Sequence, residues 1–475
     1  MSSGAALDTI VAPATPVGRS ALAIVRIDGP ESAAILTALM RAGAPEARVA
    51  TFTSLYAGDE RVDECIAIRY AAPHSFTGND LVELTLHGNP LLVERVLEAA
   101  RALGARSAEP GEFTERAVLN GKLDLVQAES IADLINARTS LQAKLSLSNL
   151  DGTLSRTASS IRESLLNVIS RLEAALDFSD EGYEFITRDE ARSRMQEAIA
   201  ACASLAETYR RGRATTRGLS LVILGAPNAG KSTLLNRLVG SERAIVTPIP
   251  GTTRDIVRET IEIGGLPVTI ADTAGLRENA DVVEEIGIER ARRAAEDADV
   301  VLYLIDATRG PDAGDQAEIA RFNALPVFTK RDLAPHPPSA PSPRFAGRRA
   351  LEHGSRESYE AGEKVAKADE GGAIFISALT GEGIPQLLAR LDTIVRERFA
   401  APERSPTVVN ERQRAAIAEC EASLQAALES LHAQYDEQVV LVDLYAASAA
   451  LAALTGSITQ GDVFTAIFSS FCIGK

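Results

Sequence analysis

The 475-residue sequence predicts a multidomain protein of mixed class, α+β at its start and α/β further on. Three observations carry that expectation. Short strand and helix patterns mix as far as Lys122, helical text follows from Leu123, and strand and helix patterns alternate between about 218 and 398. The expected division is 1–122, α+β; 123–217, helical; 218–398, α/β; and 399–475, helical again. At roughly 100–200 residues per domain, the length accommodates about two to four cores.

Within the first part, Ala21 to Ile27 and Leu81 to Leu86 read as strands, and Pro90 to Leu103 as an amphipathic helix. Turn formers at Asp28-Gly-Pro30 and Gly78-Asn79 punctuate them. In the helical text, Ile161, Leu165, Val168, Leu172 and Ala175 recur at helical steps, so they share one face. The basic stretch Arg210, Arg211, Arg213 and Arg217 then reads as a solvated linker. Residues 334–372 interrupt the α/β rhythm with a proline cluster from Pro335 to Pro343 and a charged stretch, the pattern of a long mobile surface insertion. Helical pieces on both sides suggest that the α/β domain is inserted into one helical domain.

Composition narrows the function classes. Lys and Arg number 49 against 65 Asp and Glu, a net charge of −16, which disfavours a general nucleic-acid-coating protein. A local basic groove, or one formed with a partner, is compatible with that balance. No run of about 18 uncharged apolar residues occurs; the nearest, Val439 to Gly456, carries Asp443 and reads as a buried helix. With no basic-then-apolar leader, a cytoplasmic location and no membrane partner are expected. Cys65, Cys202, Cys420 and Cys472 lie far apart, without metal-ligand or disulfide spacing.

The strongest chemical signal begins at Leu219. A buried-strand run to Leu224 enters Gly225-Ala-Pro-Asn-Ala-Gly-Lys-Ser232, and a helix pattern follows from Thr233. This is GxxxxGK[ST] in its strand–loop–helix setting. Backbone N–H groups through Asn228, Ala229 and Gly230 turn inward on phosphate, and the helix N-terminus adds positive potential. Lys231 is expected to reach the β- and γ-phosphates, and the Ser232 hydroxyl to hold Mg²⁺.

Further blocks follow in the order a GTPase requires. Thr247, Pro248, Ile249 and Pro250 lead into Gly251, Thr252 and Thr253, a loop whose hydroxyls suit Mg²⁺ and the γ-phosphate. A hairpin from Glu259 to Ala271, turning at Gly264-Gly265, delivers Asp272, Thr273, Ala274 and Gly275. Asp272 would bind Mg²⁺ through water, and the Gly275 N–H would sense the γ-phosphate. After the strand Leu325 to Phe328 come Thr329, Lys330 and Asp332 at the position of a guanine-reading NKxD block. The Asp332 carboxylate accepts from guanine N1–H and the 2-amino group, a pattern adenine lacks. Ser377 and Ala378 match the remaining base-contacting loop. Together these blocks specify GTP.

Two departures matter. Thr329 stands where the block carries Asn, removing an amide that ties the base to the phosphate loop, so weaker affinity with retained guanine preference is expected. Leu276 stands where Ras-like proteins carry a water-orienting Gln, so another group must serve, and Glu278, Asp281, Glu284 and Glu285 are the candidates. A solvated acidic helix start is the other reading of those residues.

Motifs across nearly the whole chain carry a more specific resemblance. They are Thr15-Pro16 with Gly18-Arg19, Arg26-Ile27, Ser75-Phe-Thr-Gly78 with Glu83 and His87-Gly88, Pro110-Gly-Glu-Phe113, and Leu119-Asn-Gly-Lys-Leu-Asp-Leu125. The nucleotide blocks, Ile286-Gly-Ile288 and the terminal Phe468-Ser-Ser-Phe-Cys-Ile-Gly-Lys475 complete the set. On these the chain resembles the bacterial tRNA-modifying GTPase family MnmE (TrmE), of the TrmE-Era-EngA-YihA-Septin-like group.

The resemblance implies an N-terminal folate-binding and dimerising domain, and a helical domain holding an inserted Ras-like P-loop GTPase domain. It implies a homodimer working with the flavoprotein MnmG, the FAD carrier, in a heterotetramer. The reaction would add an aminomethyl or carboxymethylaminomethyl group to C5 of the wobble uridine of certain tRNAs. The one-carbon donor would be 5-formyl- or 5,10-methylene-tetrahydrofolate, with Arg26, Glu83, Lys122 and Lys475 on folate-contacting positions. A pteridine suits a carboxylate acceptor, and a glutamyl tail suits cations. K⁺ would be held by Asn228 and the carbonyls of Thr247, Ile249 and Thr252, Mg²⁺ would be sensed by Thr253, and Glu284 would orient the attacking water. Cys472, near Lys475, reads either as a thiolate nucleophile or as a small packed residue. The rival class is a regulatory or ribosome-assembly GTPase switch without one-carbon chemistry.

Overall fold

The computed structural model describes residues 8–178, 185–241, 243, 258–271, 291–333, 373–401, 405–433, 435–456, 467, 471 and 474. The chain forms two compact units: Met1–Asn136 with Leu145–Tyr209 and Arg404–Lys475, and Ala137–Lys144 with Arg210–Glu403.

The first unit begins with strands β1 (Ile10–Pro13), β2 (Leu22–Asp28), β3 (Thr51–Ala57), β4 (Glu60–Tyr70), β5 (Leu81–His87) and β6 (Arg106–Ser107). They make one sheet in the order β3-β4-β5-β2-β1-β6, antiparallel except between β1 and β6. Strand period two decides what each face carries. Val25, Ile27, Leu84 and Leu86 point into a core with helices α1 (Ser32–Met40) and α2 (Pro90–Ala102). Arg26 and Glu83, one residue out of phase with these, lie directly opposite each other on the other face. The start of α2 is set by Asn89, whose side chain accepts from the Leu91 N–H at 3.0 Å, and by Pro90 in the first turn.

Helices α3 (Glu112–Leu119), α4 (Leu125–Ile135), α5 (Ser140–Leu150), α6 (Thr153–Asp177) and α7 (Arg188–Arg217) follow. In the first unit, α6 and α7 pack with the helices Glu411–His432 and Glu437–Thr455 around one core. Ile161, Leu165, Val168 and Leu172 are buried in it, as their spacing predicts, while Ala175 is half-buried. Leu165 is fully buried, and burying such a side chain contributes about 1.5–3 kcal/mol. Helix Glu437–Thr455 is long and apolar enough to cross a membrane by length and composition, and half of it is buried in this core. Cys202 and Cys420 meet there with sulfurs 3.7 Å apart, both buried and unbridged.

The linker expected at Arg210 to Arg217 is instead the C-terminal part of α7. Its four arginines are exposed, but the backbone is helical and small residues, Ala214 and Thr215, are buried. Arg210 stacks over Phe399, its guanidinium carbon 5.3 Å from the ring centroid.

The second unit carries β7 (Leu219–Gly225), helix α8 (Lys231–Val239), β8 (Arg258–Ile263), β9 (Leu266–Ala271), β10 (Val300–Asp306), β11 (Leu325–Thr329) and β12 (Ile374–Phe375). The sheet order is β12-β11-β10-β7-β9-β8, with only β8 antiparallel. Its central strands are buried on both faces: Leu221, Ile223, Leu302 and Leu304 in one core, Val222, Leu224, Val301 and Ile305 in the other. That is why they read as continuous apolar runs. Gly264 and Gly265 take φ of 62° and 86°, the left-handed pair that a two-residue hairpin turn requires. Central β7 has β9 on one side and β10 on the other, so the loop leaving its C-terminal end opens where the sheet order reverses, the usual ligand crevice of such folds.

Candidate nucleotide site and a charged pair on the N-terminal sheet

The phosphate loop leaves β7 and folds through left-handed backbone at Asn228 and Gly230, with φ of 60° and 92°. Asparagine and glycine tolerate that conformation best. Gly230 is the N-cap of α8 and supplies no side-chain cap, so the first-turn N–H groups are left for a ligand. Asn228, Ser232 and Thr233 are exposed beside them, Lys231 is half-buried, and Ala229 is buried. Lys231 Nζ donates to the Gly225 and Ala226 carbonyls, each at 2.9 Å, which keeps the ammonium within the loop.

Four contacts join the Thr329–Asp332 and Ser377–Ala378 segments to this loop, to the helix that follows it and to each other. Thr329 is buried at the end of β11, and its hydroxyl donates to the Ala229 carbonyl at 2.8 Å. The Arg331 N–H donates to the Ile376 carbonyl at 3.1 Å, and the Arg331 guanidinium pairs with Glu382 at 3.1 Å. Arg237 of α8 donates to the Thr380 carbonyl at 3.0 Å. Asp332 is exposed in the short turn Arg331–Leu333, while Ser377 is buried and Ala378 half-buried in the neighbouring loop.

Lys330 pairs with Asp306 at 2.6 Å. Burial alone would raise the Asp306 carboxyl, but hydrogen bonds from Lys330 and Thr308 outweigh it and hold it below its usual range. Position 329 carries Thr in place of the Asn of the NKxD block. The amide is gone, yet the tie to the phosphate loop survives through the hydroxyl. The sequence also carried no sign of Arg237 or Asp306 in this role, since neither belongs to a nucleotide motif.

On the N-terminal sheet, Arg26 Nε donates to Glu83 Oε1 at 2.8 Å, and both side chains are about one-fifth exposed. Tyr70 donates to the other Glu83 oxygen at 3.3 Å, and Arg26 lies over the Phe76 ring at 5.5 Å. Burial, then the Glu83 charge, pushes the Tyr70 phenol above its usual value. Sequence reasoning missed Tyr70 and Phe76; Phe76 stands inside the quoted Ser75–Gly78 motif, which was the available signal.

The Ser75–Gly78 loop is held by Asp28, which is fully buried. Asp28 accepts from Thr77, from Asn79 at 3.0 Å and from Arg116 at 3.0 Å. Lys122 is exposed beside this loop, its Cγ 3.4 Å from where a Gly78 Cβ would stand. Gly474 is buried against Pro13 of β1, so tightly that any Cβ there would collide with the Pro13 carbonyl. Ala12 pairs with Arg26, so Gly474 lies against the strand beside the charged pair.

The expectations for Thr247, Pro248, Ile249, Pro250, Gly251, Thr252, Thr253, Asp272, Thr273, Ala274, Gly275 and Glu284 fall outside the described residues. So do those for Leu276, Cys472, Lys475 and the insertion 334–372.

A phosphate loop at the reversal point of a parallel sheet, tied to a turn bearing a guanine-type carboxylate, defines a P-loop GTPase. The family described as the MnmE helical domain matches residues 125–472, and the one described as the GTP-binding protein TrmE N-terminus matches residues 9–122. The tRNA modification GTPase MnmE of Koribacter versatilis is 40% identical over 98% of this chain and 99% of its own length. That of Aquifex aeolicus is 38% identical over 98% of this chain and 100% of its own. A crystal structure of Era from Aquifex aeolicus is 26% identical, covering 44% of this chain and 67% of its own, with a TM-score of 0.25. The chain belongs to the MnmE family of tRNA modification GTPases.

Proposed function

We propose that this GTPase spends its hydrolysis cycle on building an aminomethyl or carboxymethylaminomethyl group at C5 of the wobble uridine of certain tRNAs. It does so as a cytoplasmic homodimer with the flavoprotein MnmG. The observation that carries the nucleotide half is the union of the phosphate loop with the Thr329–Asp332 segment through the Thr329–Ala229 bond.

Lys231 and the open N-terminus of α8 bind the β- and γ-phosphates, and Asp332 reads the guanine edge. The exposed hydroxyl of Ser232 suits Mg²⁺, together with Thr253 and Asp272 through water. The exposed Asn228 suits K⁺, together with the Thr247, Ile249 and Thr252 carbonyls. Bound there, the two cations neutralise charge that develops during phosphoryl transfer. Glu284 orients the attacking water, the role that Leu276 leaves open.

The N-terminal sheet suits a tetrahydrofolate, which supplies the one-carbon unit. A half-buried carboxylate at Glu83, the Phe76 and Tyr70 rings, and the cations Arg26 and Lys122 match a fused heterocycle with N–H donors and an anionic tail. Lys475, next in sequence to Gly474, which packs against Pro13, adds a further cation. Cys472 is either the nucleophile of the one-carbon step or a packed residue of that segment.

The test is reconstitution with MnmG, tRNA and a tetrahydrofolate donor, reading modified uridine by mass spectrometry of nucleosides. Modification is expected with GTP and not with a non-hydrolysable analogue. Equal modification with both would separate hydrolysis from the chemistry. GTP turnover with no modification under any donor would favour the switch reading.

A further inference from the structure

The second unit holds a closed circuit of contacts around the nucleotide crevice. Thr329 joins β11 to the phosphate loop at Ala229, 2.8 Å away and 100 residues earlier in the chain. Arg331 joins that turn to the Ser377 loop through Ile376 and Glu382. Arg237 joins the Ser377 loop, at Thr380, back to α8, the helix that the phosphate loop begins. Thr329 is 1% exposed, and its hydroxyl also lies 3.2 Å from the Ile305 carbonyl at the end of β10. A hydroxyl has one proton and no second donor to offer a base. Its contacts are two backbone carbonyls of the protein, so it faces the loop rather than the crevice.

We propose that Thr329 is a positioning residue, a hydroxyl clamp that fixes the phosphate loop in its binding shape without itself reading the base. Affinity for the phosphate end and choice of base then belong to different side chains, Thr329 and Asp332. An asparagine at this place would tie the loop with an amide that also has atoms left over for the nucleotide. The threonine confines the position to loop support. The inference rests on the reading of Thr329–Asp332 as the guanine-reading block.

The experiment is stopped-flow release of fluorescently labelled GDP and IDP from the full chain and its variants. IDP lacks the 2-amino group that Asp332 reads. Thr329→Val keeps the shape and removes the hydroxyl. It is expected to speed release of both nucleotides by the same factor, about tenfold, the usual order for one buried hydrogen bond. Thr329→Ser keeps the hydroxyl and is expected to stay within about twofold of wild type. Wild-type release from Thr329→Val overturns the clamp. A change in its GDP-to-IDP ratio overturns it too, because the residue would then be reading the base. If Thr329→Val fails to fold, Thr329→Ala with thermal melting takes its place, judged by the same two criteria. Should wild type not prefer GDP to IDP while Thr329→Val still speeds release, the base-reading assignment of Asp332 fails and the clamp stands.

Discussion

Lys231 donates to the Gly225 carbonyl across the width of the phosphate loop, Nζ to O at 2.9 Å. The contact closes the loop with its own cation, and a phosphate entering the loop exchanges two carbonyl acceptors for charged oxygens. Charge-assisted hydrogen bonds contribute about 1.5–3 kcal/mol each, more than neutral ones. Lys231→Ala is therefore expected to weaken GTP and GDP binding by about 10- to 100-fold, measured by fluorescent-nucleotide titration. Affinity unchanged from wild type would remove Lys231 from the phosphate site.

Asp332 is exposed in its turn, and we propose that it accepts two N–H donors from guanine. Asp332→Asn replaces one acceptor oxygen by a donor and so matches xanthine better. Preference is expected to move from GTP toward XTP, read as the ratio of their kcat/KM values. An intact GTP preference would move base reading to another residue.

Much of this site was legible in the sequence, and the remainder was hidden for specific reasons. The β8–β9 hairpin could be read from Gly264-Gly265 because only certain residues accept that turn. The phosphate loop could be read because its residue types are dictated by backbone geometry around an anion. The helical nature of Arg210–Arg217 could not, because its buried residues are Gly212, Ala214 and Thr215, too small to make an apolar period. The Thr329 clamp could not either. A missing amide is visible in a sequence, but the reach of a hydroxyl to a carbonyl 100 positions away depends on how β11 ends against the loop. The pairing of Arg26 with Glu83 likewise depends on strand register across 57 positions.

Arg26 and Glu83 offer a test of the N-terminal site that leaves the nucleotide site alone. Glu83→Gln keeps the size and removes the charge. It is expected to weaken binding of 5-formyl-tetrahydrofolate by at least about tenfold in calorimetry, with GTP turnover within twofold of wild type. Unaltered folate affinity would take Glu83 out of that contact.

His87 and Asp63 give a pH prediction. His87 Nδ1 lies 2.7 Å from Asp63, and that hydrogen bond, then the Asp63 charge, raises the imidazole above its usual value of 6.5. A group raised on folding contributes its stability fully below about pH 6.5 and loses it as pH rises through the folded value. Asp63→Asn is expected to bring the His87 titration, followed by NMR of the imidazole, back toward 6.5. A titration unchanged in the variant would show that Asp63 is not the cause.

We propose that a monovalent cation beside Asn228 completes the GTPase site. GTP turnover of the purified chain in KCl against NaCl, at equal ionic strength, tests it most directly. Strong stimulation by K⁺ is expected, abolished by Asn228→Ala while GTP binding persists. Equal, slow turnover in both salts would contradict it and leave a GTP-binding switch as the better description of this domain.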